Sequence, residues 1–210
     1  MSSNLTMFPA LSYHAIEKPA SAVLKERGSK FLGFAYPVES EKEIRECLIL
    51  LKKEHPSASH HCYAWRLGAD KRMYRANDDG EPANSAGKPI LSAIQAHDLS
   101  NILIVVVRYF GGTLLGVNGL INAYKDAANN VIDHAIVFER FVLSVYRVEF
   151  GMEDMNHVMR ILKENDAKII TNNYENGNII TFHVQKQKAA TMEARFNVLY
   201  AVDLKFLQFN

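Results

Sequence analysis

Residues 102–107, Ile-Leu-Ile-Val-Val-Val, are apolar at every position and run straight into Arg108-Tyr109-Phe110-Gly111-Gly112. A strand with one wet face alternates apolar and polar residues; an unbroken apolar run ending at a glycine turn fits a central strand covered on both faces. The chain is therefore expected to build a layered α/β domain around this strand. Just downstream, Leu120, Ala123, Tyr124, Ala127, Ala128 and Val131 recur at helical spacing. They give a helix with one apolar stripe, and Asn118, Asn122, Lys125, Asn129 and Asn130 fall on its other side.

The rest of the chain supplies partners for that strand. β-Branched and aromatic residues at 13–16, 22–25 and 31–38 predict strands, the last two joined by a turn at Arg27-Gly28. A helix follows, with Ser40 as cap, Glu43 three residues on, and Ile44, Cys47, Leu48 and Leu51 as its apolar stripe. His55-Pro56 ends it. Residues 59–67 read as a strand with His61, Tyr63, Trp65 and Leu67 on one face and His60, Cys62, Ala64 and Arg66 on the other. A short partner strand is expected at 73–75. Residues 77–89 are dense in turn formers and too polar for a core, which marks a functional loop, and Pro89 is expected to start a short helix carrying Ile90, Leu91 and Ile94.

After His134 the pattern changes. Strands at 142–150, 168–174, 179–185 and 202–208, with helices at 154–164 and 189–199, give the order βαββαβ. That is the split-βαβ, ferredoxin-like plan, with Asn176-Gly177 as the central turn. Two domains are expected, residues 1–137 and 138–210.

Composition removes several functions. With 24 basic and 23 acidic residues the formal charge is +1, so no global field draws the chain onto phosphate polymers or anionic membranes, and any nucleic-acid contact must be local. Two cysteines, Cys47 and Cys62, cannot form a disulfide framework and suit a reducing, cytoplasmic setting. Neither a secretory leader nor a membrane span is expected.

The glycine corner after the central strand is the most informative motif. Strand, Gly-Gly and helix can aim free backbone N–H groups at one point, where an anion could sit; the same glycines can equally serve tight turns and close packing. Gly111 and Gly116 have the glycine spacing of a P-loop, but Val117 and Asn118 stand where Lys and Ser/Thr are required, so nucleotide hydrolysis is rejected. A dinucleotide fingerprint is also unmet. His60, His61 and Cys62 with Asp78, Asp79 and Glu81 have metal or acid/base ligand types, yet no second ligand pair of recognisable spacing supports them. Arg66, Lys71, Arg72 and Arg75 interleave with Tyr63, Trp65 and Tyr74, a composition that suits single-stranded nucleic acid or a solvated hairpin with a core of aromatics. No nucleophile stands in a recognisable elbow.

Several runs resemble the YigZ/IMPACT family in order and spacing. They are Ser29-Lys30-Phe31, Ser59-His60-His61-Cys62-Tyr63-Ala64, Asp78-Asp79-Gly80-Glu81-Pro82, Ala86-Gly87-Lys88-Pro89-Ile90-Leu91 and the long run from Val107-Arg108-Tyr109-Phe110-Gly111-Gly112 through Leu115, Gly116, Gly119 and Leu120 to Ala123-Tyr124. The resemblance implies a first domain like domain IV of elongation factor G and a second like its ferredoxin-like domain V, with RNA or ribosome contacts. It also implies that the kinase-restraining role of eukaryotic relatives, which needs an additional N-terminal domain, does not carry over. Against the family pattern, Asn84-Ser85 replaces Gly-Thr, Asn118 a glycine, and Asn122 a basic residue beside the glycine corner.

Taken together, the residues predict a non-catalytic binding protein linked to translation, contacting RNA, a ribosomal site or a protein, with no membrane, metal or cofactor assigned and the oligomeric state open. The expected surface joins His60, His61, Asp79, Glu81 and Lys88 to Arg108, Tyr109, Gly111, Gly112 and Lys125. Arg108 would supply charge-assisted bonds, and Tyr109 or Phe110 a stacking face. The rival is a small enzyme gathering Asp79, Glu81 and a histidine near Arg108 around an anionic substrate.

Overall fold

A computed structural model describes residues 11–174 and 177–209. The chain divides into two compact units, Tyr13–Arg140 and a second carried by Phe141–Asn210.

In the first unit the strands are β1 (Ser12–Ile16), β2 (Ala20–Glu26), β3 (Ser29–Pro37), β4 (His60–Leu67), β5 (Met73–Asn77) and β6 (Ile102–Tyr109). The helices are α1 (Glu41–Glu54), α2 (Gly87–Ala96) and α3 (Gly116–Asp133). Five strands form one sheet in the order β2-β3-β6-β4-β5, antiparallel at every pairing. The apolar run thus lies on the middle strand, as its composition requires, and residues 102–107 have no solvent exposure. Alternation along β6 feeds two cores. Ile102, Ile104 and Val106 pack with α2 and α3, while Leu103, Val105 and Val107 pack with α1, Trp65 and Leu67.

Local chemistry explains the helix ends. Ser40 Oγ accepts from the Glu43 N–H at 3.3 Å, and the Glu43 carboxylate accepts in return from the Glu39 N–H at 2.9 Å, so two otherwise orphaned donors are satisfied. α2 begins at Gly87 rather than at Pro89. The Asp78 carboxylate accepts from the N–H groups of Ala86 and Gly87 at 3.0 and 2.8 Å, and this starts the helix early with Pro89 inside its first turn. The loop before α2 is also less wet than its composition predicts, with Ser85 and Ala86 fully buried. β7 (Val137–Phe141), which pairs with β1 in a small separate sheet, has no counterpart in the sequence reading.

The second unit holds β8 (Leu143–Phe150), a 3-10 turn at Met152–Asp154, α4 (Met155–Glu164), β9 (Lys168–Asn173), β10 (Asn178–Gln185), α5 (Lys186–Phe196) and β11 (Val202–Phe209). Its sheet runs β11-β8-β10-β9, antiparallel throughout, which is the ferredoxin-like order expected of βαββαβ. Tyr146, Phe182 and Val148 pack against Val158 and Ile161 of α4 and Phe196 of α5 in one core. The turn expected at Asn176-Gly177 lies partly outside the described residues. No helix among the described residues is long and apolar enough to cross a membrane.

Candidate functional site

The register of β4 against β6 sets His60 opposite Arg108 and His61 opposite Val107. His60, Cys62 and Arg108 therefore share the α3 face of the sheet, and the loop after β5 folds Glu81 onto them. Arg108 Nη1 donates to Glu81 Oε1 at 2.6 Å, and the two side chains are almost wholly buried. Tyr124 of α3 donates its hydroxyl proton to the same oxygen at 2.7 Å. Cys62 Sγ lies 3.3 Å from the Tyr124 hydroxyl and 3.0 Å from the Asp78 carbonyl. Burial pushes the Cys62 thiol up to about 12, and it pushes the Tyr124 phenol up as well. Thiol and phenol are thus protonated donors in a network whose one anion, Glu81, faces the Arg108 cation.

The guanidinium is further held between two rings, 5.5 Å from the centroid of Phe31 and 5.6 Å from that of Phe110. This corrects one expectation. Arg108 is 5% exposed and its charge is spent on Glu81, so it is not a surface cation for phosphate.

Glu81, Arg108 and His60 form the floor of a cavity of about 510 Å³. His60 Nδ1 lies 2.8 Å from the Asp79 carbonyl oxygen, which can only accept, so the proton sits on Nδ1. Nε2 of the same ring lies 3.8 Å from Glu81 Oε1. The walls are apolar, made by Pro82, Phe110, Leu114, Leu115, Val117 and Leu120. Leu114 at the mouth is 83% exposed, and Phe110 and Val117 are about half exposed.

The remaining predicted residues go elsewhere. His61 and Tyr109 point to the α1 face of the sheet, because neighbours along a strand alternate; neither can join Arg108. Tyr109 there approaches His55 Nδ1 at 3.0 Å through its hydroxyl, so the stacking role expected of Tyr109 or Phe110 is open to Phe110 alone. Burial pulls the His61 imidazole below its usual value, against the opposing pull of Asp79. The Asp79 carboxylate accepts from the His61 N–H at 2.7 Å and lies 3.5 Å from Lys52 Nζ, away from the cavity. Lys88 and Lys125 line a different cavity of about 400 Å³ with Asn84 and Ser92.

At the glycine corner, Phe110 and Gly111 donate their N–H groups to the hydroxyls of Ser59 and Ser29 at 3.4 and 3.2 Å, so these donors are not aimed at an anion. Gly111 is required by close backbone approach, since a Cβ there would stand 1.9 Å from the carbonyl carbon of Gly28. Gly112 has φ +86° and open space around it, a turn position. In the basic hairpin, Trp65 is core and Arg66 and Lys71 are tied to Asp98, while Arg72 and Tyr74 stay exposed. Among the described residues no group of three His, Cys, Asp or Glu side chains could hold a metal ion.

Sequence reasoning grouped Cys62 with His60 and Glu81 but missed Tyr124 and Ser29 as members of the network. The available signal was Tyr124 itself, a phenol set among alanines on a buried stripe, which needs a partner for its hydroxyl.

Comparison with known proteins covers both units. The Impact N-terminal domain model matches residues 27–132. The Escherichia coli IMPACT family member YigZ is 30% identical over 179 residues, 84% of this chain and 88% of that protein. A crystal structure described as that of a hypothetical protein is 28% identical, with a TM-score of 0.73, and covers 95% of this chain and 98% of its own. A two-domain translational regulator, Yih1, is 29% identical over 57% of this chain and 48% of its own, with a TM-score of 0.39.

Proposed function

The chain belongs to the IMPACT family, and from that membership we propose that it is a non-catalytic binding protein of translational control, engaging a protein through the apolar mouth around Phe110, Leu114 and Val117. The observation that carries this reading is the contrast between a self-neutralised floor and an exposed apolar rim. The Glu81–Arg108 pair cancels its own charge inside the fold, whereas Leu114 stands almost fully in water. Apolar exposure of this kind around a concavity is what protein partners bury. The link to translation is supported by sequence shared with Yih1, described as a translational regulator.

RNA is the less favoured ligand at this cavity, because Arg108 is paired with Glu81 and the Gly111 N–H with Ser29, so the glycine corner presents neither to a phosphate. Photo-crosslinking in cells from position 114 tests the reading. The expected adduct is a protein of the translation apparatus, and it should disappear when Val117→Asp is added. An adduct with RNA alone, or none, removes it.

One observation favours a second reading, a small enzyme: His60 Nε2 and Glu81 do meet at the floor of a concave cavity. Asp79, the other carboxylate of that proposal, lies away from the cavity, and Glu81 already accepts from Arg108 and Tyr124. Unchanged complementation by His60→Gln in cells lacking the protein would dispose of acid/base work at this ring.

A further inference from the structure

The apolar mouth continues along α3 into the second cavity of the same unit, because the two cavities share both banks. On one bank Pro82 borders the mouth, and Asn84, two residues on, borders the cavity of Lys88 and Ser92. On the other bank Val117 borders the mouth, while Ile121 and Lys125 border the second cavity. Val117, Ile121 and Lys125 stand at i, i+4 and i+8 of α3, a row that follows one side of a helix. Eight helical residues span about 12 Å. The two cavities thus form successive parts of one groove, with the loop before α2 on one side and α3 on the other.

The ends of the groove differ in chemistry. At the mouth, Ser59 Oγ accepts from the Phe110 N–H and keeps its own proton, α3 opens with no side chain capping its first turn, and Glu81 and His60 lie at the floor. Donors and acceptors are both on offer there, so the mouth selects apolar bulk and no particular polar group. The far end carries a sign. Lys88 and Lys125, on different helices, are exposed and without a partner among the described residues, and no carboxylate lines their cavity. The carboxylates close to them in sequence are engaged elsewhere. Asp78 accepts from the N–H groups of Asn84, Ala86 and Gly87 at 2.9, 3.0 and 2.8 Å, and Asp126 borders a separate cavity with Glu26 and Arg27. Glu81 and Arg108 cancel each other, which leaves the two lysine charges of the groove uncompensated.

We infer that the groove takes an acidic segment of the protein partner, with an apolar side chain seated among Phe110, Leu114 and Val117 and carboxylates about 12 Å along it at Lys88 and Lys125. The inference rests on the binding-protein reading above and adds the length and the sign of that contact. The formal charge of +1 gives the chain little long-range field, so a local pair of unpaired lysines is what can select a partner by charge. An extended segment covers that distance in about four residues, which sets the spacing between its apolar anchor and its acidic residues. A basic segment would bring like charges together at Lys88 and Lys125. RNA carries a charge at every phosphate, and the mouth end, lined by no lysine and with its arginine held by Glu81, would set those phosphates against aliphatic walls.

The test is photo-crosslinking of the full chain in cells from two positions, 114 at the mouth and 92 at the far end, with the captured segment read by mass spectrometry. Both positions are expected to capture the same protein, on a stretch that contains Asp or Glu. Lys88→Glu combined with Lys125→Glu should lower the adduct at 114 about tenfold, through two exposed ion pairs lost and repulsion gained. Lys88→Arg combined with Lys125→Arg keeps the charge and should retain the adduct. The inference is overturned if position 92 captures nothing, RNA or a different protein, if the captured segment has no acidic residue, or if the glutamate and arginine pairs behave alike. Its failure is separable from that of the reading beneath it. A protein of the translation apparatus captured at 114 regardless of the lysine charges removes the acidic segment and keeps the binding protein; RNA alone, or no adduct at 114, removes both.

Discussion

The two faces of the five-stranded sheet solve the same burial problem in different ways. On the α1 side, Leu51, Trp65, Leu103, Val105 and Val107 make a largely apolar core; at its edge His55 and Tyr109 satisfy each other, and buried His61 keeps one ring nitrogen, Nε2, without a partner among the described residues. On the α2/α3 side the apolar core carries a buried line of polar groups, Cys62, Tyr124, Glu81 and Arg108. An apolar core gains from every atom it buries, while a buried ion pair roughly breaks even against well-packed hydrophobes. The α3 face has therefore accepted a feature of little net stability beside the cavity, and that pairing of cost and position is what makes it read as a site.

The comparison can be broken most directly at Glu81. Glu81→Ala leaves Arg108 buried without its anion, and the unfolding free energy is expected to fall by about 4 kcal/mol, measured by urea denaturation. Replacing the whole network, Glu81→Leu with Arg108→Met and Tyr124→Phe, is expected to restore stability to within about 1 kcal/mol of the parent or above it. If the triple variant stays as unstable as the single one, the network serves the fold and the contrast between the faces disappears. On the α1 face the expected response has no such rescue. Leu51→Ala opens a cavity in an apolar core and should cost about 3 kcal/mol, with crosslinking at 114 intact.

The same two faces show what a sequence discloses. The apolar run on β6, the stripe of α3 and the βαββαβ order were legible because each is a local periodicity, and the structure has all three. The early start of α2 was hidden because its capping carboxylate, Asp78, lies eight and nine residues upstream, beyond any capping-box spacing. β7 was hidden because its partner, β1, lies at the other end of the unit. Proximity in sequence also misled. His60 and His61, like Arg108 and Tyr109, are neighbours in the chain and occupy opposite faces of the sheet, a split that the period of two foretells once the strand is trusted. What no pattern could disclose was consumption: Arg108 reads as a free cation until Glu81 is found 27 residues away, and Tyr124 reads as core until its hydroxyl is found on that carboxylate 43 residues away.

The gentlest probe of the polar line is Tyr124→Phe. It removes one donor from Glu81 and one acceptor from the Cys62 thiol while keeping the ring against Phe31, and it should cost about 1.5 kcal/mol at neutral pH. Alkali gives the sign of the effect independently. Burial raises the folded thiol from 9.0 to about 12 and raises the phenol too, so the folded chain holds protons that the unfolded chain releases. Stability from these groups is complete below pH 9 and is lost as pH rises towards 12. The urea midpoint of the parent should fall across that window. In Tyr124→Phe the fall should be shallower, because one of the two buried acids of this line is gone, while the Cys62 thiol and the raised phenols of Tyr13, Tyr36 and Tyr146 still lose their protons. Equal slopes in parent and variant would mean that the phenol is not buried beside Glu81, and the polar line on the α3 face would then lose its middle link.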